Sequence, residues 1–117
     1  MNKRQKGKEG EELALNYLKK MGYKIIETNF SCRLGEIDIV AKDGKTYCFI
    51  EVKLRKSKEF GSPLEAVDHR KTSKLIQTAK YYCLINNLSD VPLRFDVVGI
   101  VKSNQTEIVL IKNAISQ

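Results

Sequence analysis

The chain is poor in the residues on which several common chemistries depend. It has one histidine, His69, and three cysteines, Cys32, Cys48 and Cys83, with no CxxC pair and no Cys/His cluster. An odd number of scattered cysteines builds neither a disulfide scaffold nor a structural zinc site. Cys48 in a strand and Cys83 in a helix read as small core residues, and a reducing, cytoplasmic setting is expected. A lone histidine without a GxSxG sequence leaves no Ser-His-Asp triad to assemble. No GxxxxGK[ST] or GxGxxG occurs, so nucleoside triphosphate and dinucleotide chemistry have no support. No apolar run approaches the ~20 residues that span a bilayer. No apolar segment follows the basic start, so neither a signal peptide nor a membrane partner is expected. No internal repeat or low-complexity segment is present.

What is abundant is positive charge on a chain with a core. The 117 residues suit a single domain, 1–117. Hydrophobic residues make up 42% of them, and 21 Lys+Arg against 14 Asp+Glu leave a net charge of +7. That balance favours a polyanionic partner such as DNA.

Residues 1–7 carry Lys3, Arg4 and Lys6 without apolar periodicity and read as a flexible basic arm. Lys8 to Met21 reads as a helix, its apolar stripe formed by Leu13, Ala14, Tyr17, Leu18 and Met21 and its end marked by Gly22. Glu9, Glu11 and Glu12 sit where the helix dipole favours negative charge, and Glu11 can also look toward the core. Tyr23 to Thr28 reads as a strand and Asn29 to Leu34 as a loop in which Arg33 can approach a phosphate. Gly35 to Lys53 reads as a hairpin turning at Asp43-Gly44. A loop to Ser62 carries Arg55, Lys56 and Lys58. Ser62-Pro63 opens a second helix that runs to about Asn87, or splits into two pieces. Arg70, Lys71 and Lys74 make its early part basic. Strands at Leu93–Val101 and Glu107–Ile111 close the chain. The order α-β-β-β-α-β-β predicts an α/β fold, a mixed sheet flanked by helices, with the second helix as a crossover.

The hairpin holds the chemistry. Residues two apart on a strand share a face, so Glu51 and Lys53 point the same way and Asp38 on the paired strand lies near them. Two carboxylates and a lysine among apolar strands are costly to bury. A divalent metal gives that cost a purpose. Carboxylate oxygens of Asp38 and Glu51, with the Val52 carbonyl, suit Mg²⁺ or Mn²⁺. Lys53 is placed to orient a water or to offset negative charge in a transition state. The pattern equally describes an ion-paired strand in a basic binding or adaptor domain, and spacing alone leaves both readings open.

The segments GKEGEELALNYLKKMGY, NFSCRLGEIDIV, FIEVKLR, FGSPLEAV and RFDVV, in that order, resemble the motifs of the UPF0102 (YraN-like) family. The resemblance covers about Gly7 to Val101. That family is similar to the PD-(D/E)xK nuclease superfamily and to Holliday junction resolvases. The resemblance implies a restriction-endonuclease-like α-β-β-β-α-β core and a metal-dependent endonuclease acting on DNA, possible as a homodimer. It matches Asp38 to the first acid of the superfamily motif, Glu51 and Lys53 to its ExK, and Glu11 to a helical glutamate that joins the metal site. Gln77 and Tyr81 match a QxxxY pattern, Gln77 beside the catalytic set and Tyr81 toward nucleic acid. Ser31 and Leu54 depart from the pattern, where arginine and threonine are common.

Overall fold

The computed structural model describes residues 3–55 and 69–115, with side chains from Lys8 to Arg55 and from Arg70 to Ile115. Lys56 and the expected helix start at Ser62-Pro63 lie outside the described residues. Helix α1 spans Lys3–Lys20, so it begins within the segment expected to be an arm. Ala14 and Leu18 are its fully buried residues, with Leu13 and Leu15 packed beside them. Met21, expected in the same stripe, lies beyond the helix end and is 51% exposed. The reason is the cap. Gly22 adopts φ 92°, a left-handed value that glycine takes without a Cβ clash. The Tyr23 N–H then donates to the Leu18 carbonyl (2.9 Å) and the Gly22 N–H to that of Lys19 (3.1 Å). This Schellman arrangement turns Tyr23 into the core and Met21 outward.

Strands β1 (Lys24–Cys32), β2 (Gly35–Asp43) and β3 (Thr46–Arg55) form an antiparallel meander. The first of these is longer than its sequence pattern, because residues 29–32 pair with β2 instead of looping. Helix α2 (His69–Ile85) crosses over, so β4 (Leu93–Lys102) runs parallel to β3, and β5 (Thr106–Ile111) returns antiparallel. The sheet order is β1-β2-β3-β4-β5. This is the expected α/β architecture, consistent with a restriction-endonuclease-like core.

Helices on both faces explain why β2, β3 and β4 are apolar nearly throughout. On the α1 side, Ala14, Leu18 and Tyr23 pack with Ile39, Ala41, Cys48, Ile50, Val98 and Ile100. On the α2 side, Leu75, Ala79, Tyr82 and Cys83 pack with Val40, Phe49 and Phe95. Cys48 and Cys83 are core residues, as expected.

Asp96 is fully buried on β4. It accepts hydrogen bonds from Tyr23 Oη (2.9 Å), Arg94 Nε (2.9 Å) and the Asn113 N–H (2.8 Å). Arg94 also reaches Asp43 Oδ2 at the exposed end of β2 (2.8 Å). The network ties the end of α1, the β2 turn and the residues after β5 to the centre of the sheet. Removing one partner of a buried charged pair leaves the other uncompensated. Asp96→Ala is therefore expected to cost about 3–5 kcal/mol of unfolding free energy. Asp43→Ala, at the exposed end of the same arginine, is expected to cost about 1 kcal/mol or less. Urea denaturation of both variants checks the contrast.

Candidate functional site

The β2–β3 ladder ends at the pair Ile39–Ile50. Beyond it, the Val52 N–H donates to Asp38 Oδ2 (2.8 Å). A side chain thus replaces the strand partner, and the strands part. Glu51 has the parity of Phe49 on the α2 face, and Asp38 lines the same gap between sheet and helix. There they line a cavity of about 480 Å³ with Glu36 from β2 and Lys71 and Lys74 from α2. Ser31, Cys32 and Gly35 close the end of it nearest the β1–β2 turn. Gly35 permits a close approach, because a Cβ at that position would lie 2.9 Å from Thr78 Oγ1 of α2.

The electrostatics of the site are uneven. Burial raises the Asp38 pKa to about 6. The hydrogen bond from Val52 opposes that rise, and the carboxylates of Glu51, Glu36 and Glu11 add to it. Lys53 Nζ lies 2.9 Å from Glu51 Oε1, with side chains 15% and 20% exposed. Burial pushes the Lys53 pKa down, but its bond to Glu51, its contact with Lys71 and the charges of Glu51 and Asp38 together outweigh this, and the net direction is up. Lys53 is therefore a fixed cation at neutral pH and no proton acceptor.

The sequence-derived set is brought together in part. Asp38 and Glu51 line one cavity with Lys71 and Lys74 opposite, and Lys53 is paired to Glu51. Val52 contributes through its N–H, the polar group of that residue not considered from sequence. Glu11 does not line the cavity. Its carboxylate accepts two hydrogen bonds from Asn29 Nδ2, both 2.9 Å. Gln77 and Tyr81 share a face, as their spacing requires, but both are exposed and neither lines the cavity. Helix geometry accounts for it, since the inward positions are Leu75, Ala79 and Tyr82. Arg33 sits exposed in the β1–β2 turn and Arg70 on the exposed start of α2. Arg55 continues the row of Glu51 and Lys53 on β3, and its Nε is buried without a hydrogen-bond partner among the described residues. Glu36 was missed in the sequence, although its two-residue spacing from Asp38 signals the shared face.

Among the described residues no group of three His, Cys, Asp or Glu side chains is set to hold a metal ion. Asp38 and Glu51 still offer hard oxygens to one cavity. Mg²⁺ commonly takes one or two carboxylates and fills its other positions with water and phosphate. The pair fits that demand.

The family model described as "Uncharacterised protein family UPF0102" matches residues 10–100. The chain belongs to the UPF0102 family. It is 48% identical to a UPF0102 protein of Caldicellulosiruptor saccharolyticus, over 97% of this chain and 99% of the relative. It is 50% identical to one of Caldicellulosiruptor bescii over the same shares, 97% and 99%. A UPF0102 protein of Persephonella marina is 46% identical over 93% of this chain and 91% of its own length. In this UPF0102 chain, the matched span contains Glu11, Asp38, Glu51 and Lys53. Among the described residues, no helix is long and apolar enough to cross a membrane.

The Asp38 pKa has a consequence for stability. A carboxyl whose pKa rises on folding binds more protons in the native state between its unfolded value of 3.8 and about 6. Its contribution to stability therefore falls as pH rises through that window, and above it the ionised group is a standing cost. Asp38→Asn removes the charge and is expected to stabilise the metal-free protein at pH 7 by about 1–3 kcal/mol. The gain is expected to shrink toward zero near pH 4. Denaturant unfolding of wild type and variant at both pH values measures it.

Proposed function

We propose that this UPF0102 protein is a metal-dependent endonuclease that hydrolyses phosphodiester bonds in DNA, branched or otherwise structured DNA included. The observation that carries the reading is the convergence of Asp38 and Glu51 on a cavity walled by Lys71 and Lys74, with the Lys53 ammonium paired to Glu51. Acids on one wall and ammonium groups on the other suit a cation and a phosphate side by side. Asp38 and Glu51 would hold Mg²⁺ or Mn²⁺, which when bound lowers the pKa of its water and offsets charge building on phosphorus. Lys71 and Lys74 hold the phosphodiester at the mouth of the cavity, and Arg33, Arg55, Lys56 and Arg70 contact the flanking backbone. Lys53, always protonated, stabilises the extra negative charge that forms as water adds to phosphorus and the P–O bond to the leaving oxygen breaks. A symmetric dimer suits a substrate with paired strands to cut.

A binding role without cleavage is the second reading. It is favoured by the bond from Lys53 to Glu51, which neutralises one acid of the site without any metal. The two readings diverge in one assay. Purified protein with Mg²⁺ or Mn²⁺ is expected to nick or cut at least one member of a panel of linear, flapped and four-way-branched DNAs. Lys53→Ala is expected to slow cleavage roughly 10²–10³-fold, and Asp38→Ala to abolish it. An intact panel, or variants as active as wild type, would point to binding alone.

Binding itself has a separate expectation. Contacts from Lys71 and Lys74 to phosphates release counterions. Replacing both by alanine is expected to reduce the slope of log affinity against log salt by roughly 2, similarly for all DNA sequences. Fluorescence anisotropy across a salt series checks it.

A further inference from the structure

One acid of the cavity has no task in the reading above. Glu36 lines the cavity beside Asp38 and Glu51, yet it is exposed and belongs to no three-acid metal group among the described residues. Its strand partner across the β1–β2 ladder is Ser31, which lines the same end of the cavity and is also exposed. Directly opposed residues of an antiparallel pair stand side by side on one face. A hydroxyl and a carboxylate are thus presented together. Among the described residues neither side chain makes a hydrogen bond or an ion pair, although Lys74 lines the same cavity. A carboxylate at this place repels a phosphate, so its presence favours a ligand group that donates hydrogen bonds. The cavity, at about 480 Å³, lies in the size range of small-molecule sites and has room for a nucleobase beside a phosphate.

We propose that Ser31 and Glu36 form a base-reading subsite that takes the Watson–Crick edge of an unpaired guanine next to the phosphate held by Lys71 and Lys74. The inference rests on the DNA reading given above and narrows its substrate class. Guanine carries two adjacent donors on that edge, N1–H and N2–H, and the two oxygens of one carboxylate accept both. Its O6 lies beside them and accepts from a hydroxyl, the group that Ser31 supplies. Thymine and cytosine lack the paired donors. In a duplex the same edge is occupied by cytosine, so only an unpaired guanine offers it, as in sequence recognition of single-stranded loops and ends.

Fluorescence anisotropy of the full chain tests this, with DNA duplexes that carry one single-stranded flap and differ only in its first unpaired base. EDTA keeps the strands uncut. Wild type is expected to bind the guanine flap about tenfold more tightly than the thymine flap. Inosine, which lacks the N2 amine, is expected to fall between them. Glu36→Gln is expected to bring the guanine-to-thymine ratio close to one without weakening the thymine flap, since it removes a negative charge. Ser31→Ala is expected to lower the ratio in part. Equal wild-type affinity for the two flaps overturns the inference and leaves the DNA reading standing. So does a Glu36→Gln protein that keeps the wild-type ratio, even if it binds every flap more tightly, because Glu36 would then act through its charge alone. Wild-type protein that binds none of the flaps overturns both.

Discussion

The hydrogen bond from the Val52 N–H to the Asp38 carboxylate is the contact on which the site depends. A strand pair ordinarily satisfies each inward N–H with a carbonyl of its neighbour. Here the ladder stops at Ile39–Ile50, and the side chain of the next β2 residue takes the place of backbone. The substitution meets the need of a buried donor and lets β2 diverge from β3. The divergence opens the cavity under α2, and it points Asp38 and Glu51 into the same space.

That arrangement has an energetic cost which the rest of the molecule offsets. Three acids, Glu36, Asp38 and Glu51, face the cavity, and burial leaves Asp38 hard to ionise. Lys53 neutralises Glu51 from the same strand. Apolar packing on both faces of β2, β3 and β4, together with the Asp96–Arg94–Tyr23 network, holds the strands in place while the acids repel. Three acids thus meet Lys53, Lys71 and Lys74 at one place, the juxtaposition on which the proposed function rests. The proposed function and the local instability have the same origin, a common trade in binding sites.

Much of this was legible in the chain. The alternation through GEIDIVA and the apolar run before EVK placed Asp38, Glu51 and Lys53 together, because strand parity is a local property. Helical spacing likewise identified Ala14, Leu18, Leu75, Ala79 and Tyr82 as core. The errors fall where a local pattern has more than one tertiary outcome. Gln77 and Tyr81 share a face by geometry, but which face meets the sheet depends on packing, and the larger apolar side chains took it. Residues 29–32 have the polar composition of a loop, yet pairing with β2 makes them strand. The bond between Glu11 and Asn29 was not legible either, since no composition signals the left-handed conformation of that asparagine.

The sequence by itself determined the order of elements, the two apolar faces of the sheet and the identities of the central acids and lysine. These follow from periodicity and charge, which are set residue by residue. Tertiary structure alone decided that the strands part after Ile50, that Lys71 and Lys74 of α2 form the opposite wall, and that Asn29 lies across from Asp38. Each of these joins residues far apart in the chain. Their meeting depends on register, crossover and helix docking, and those are fixed only when all the elements pack at once.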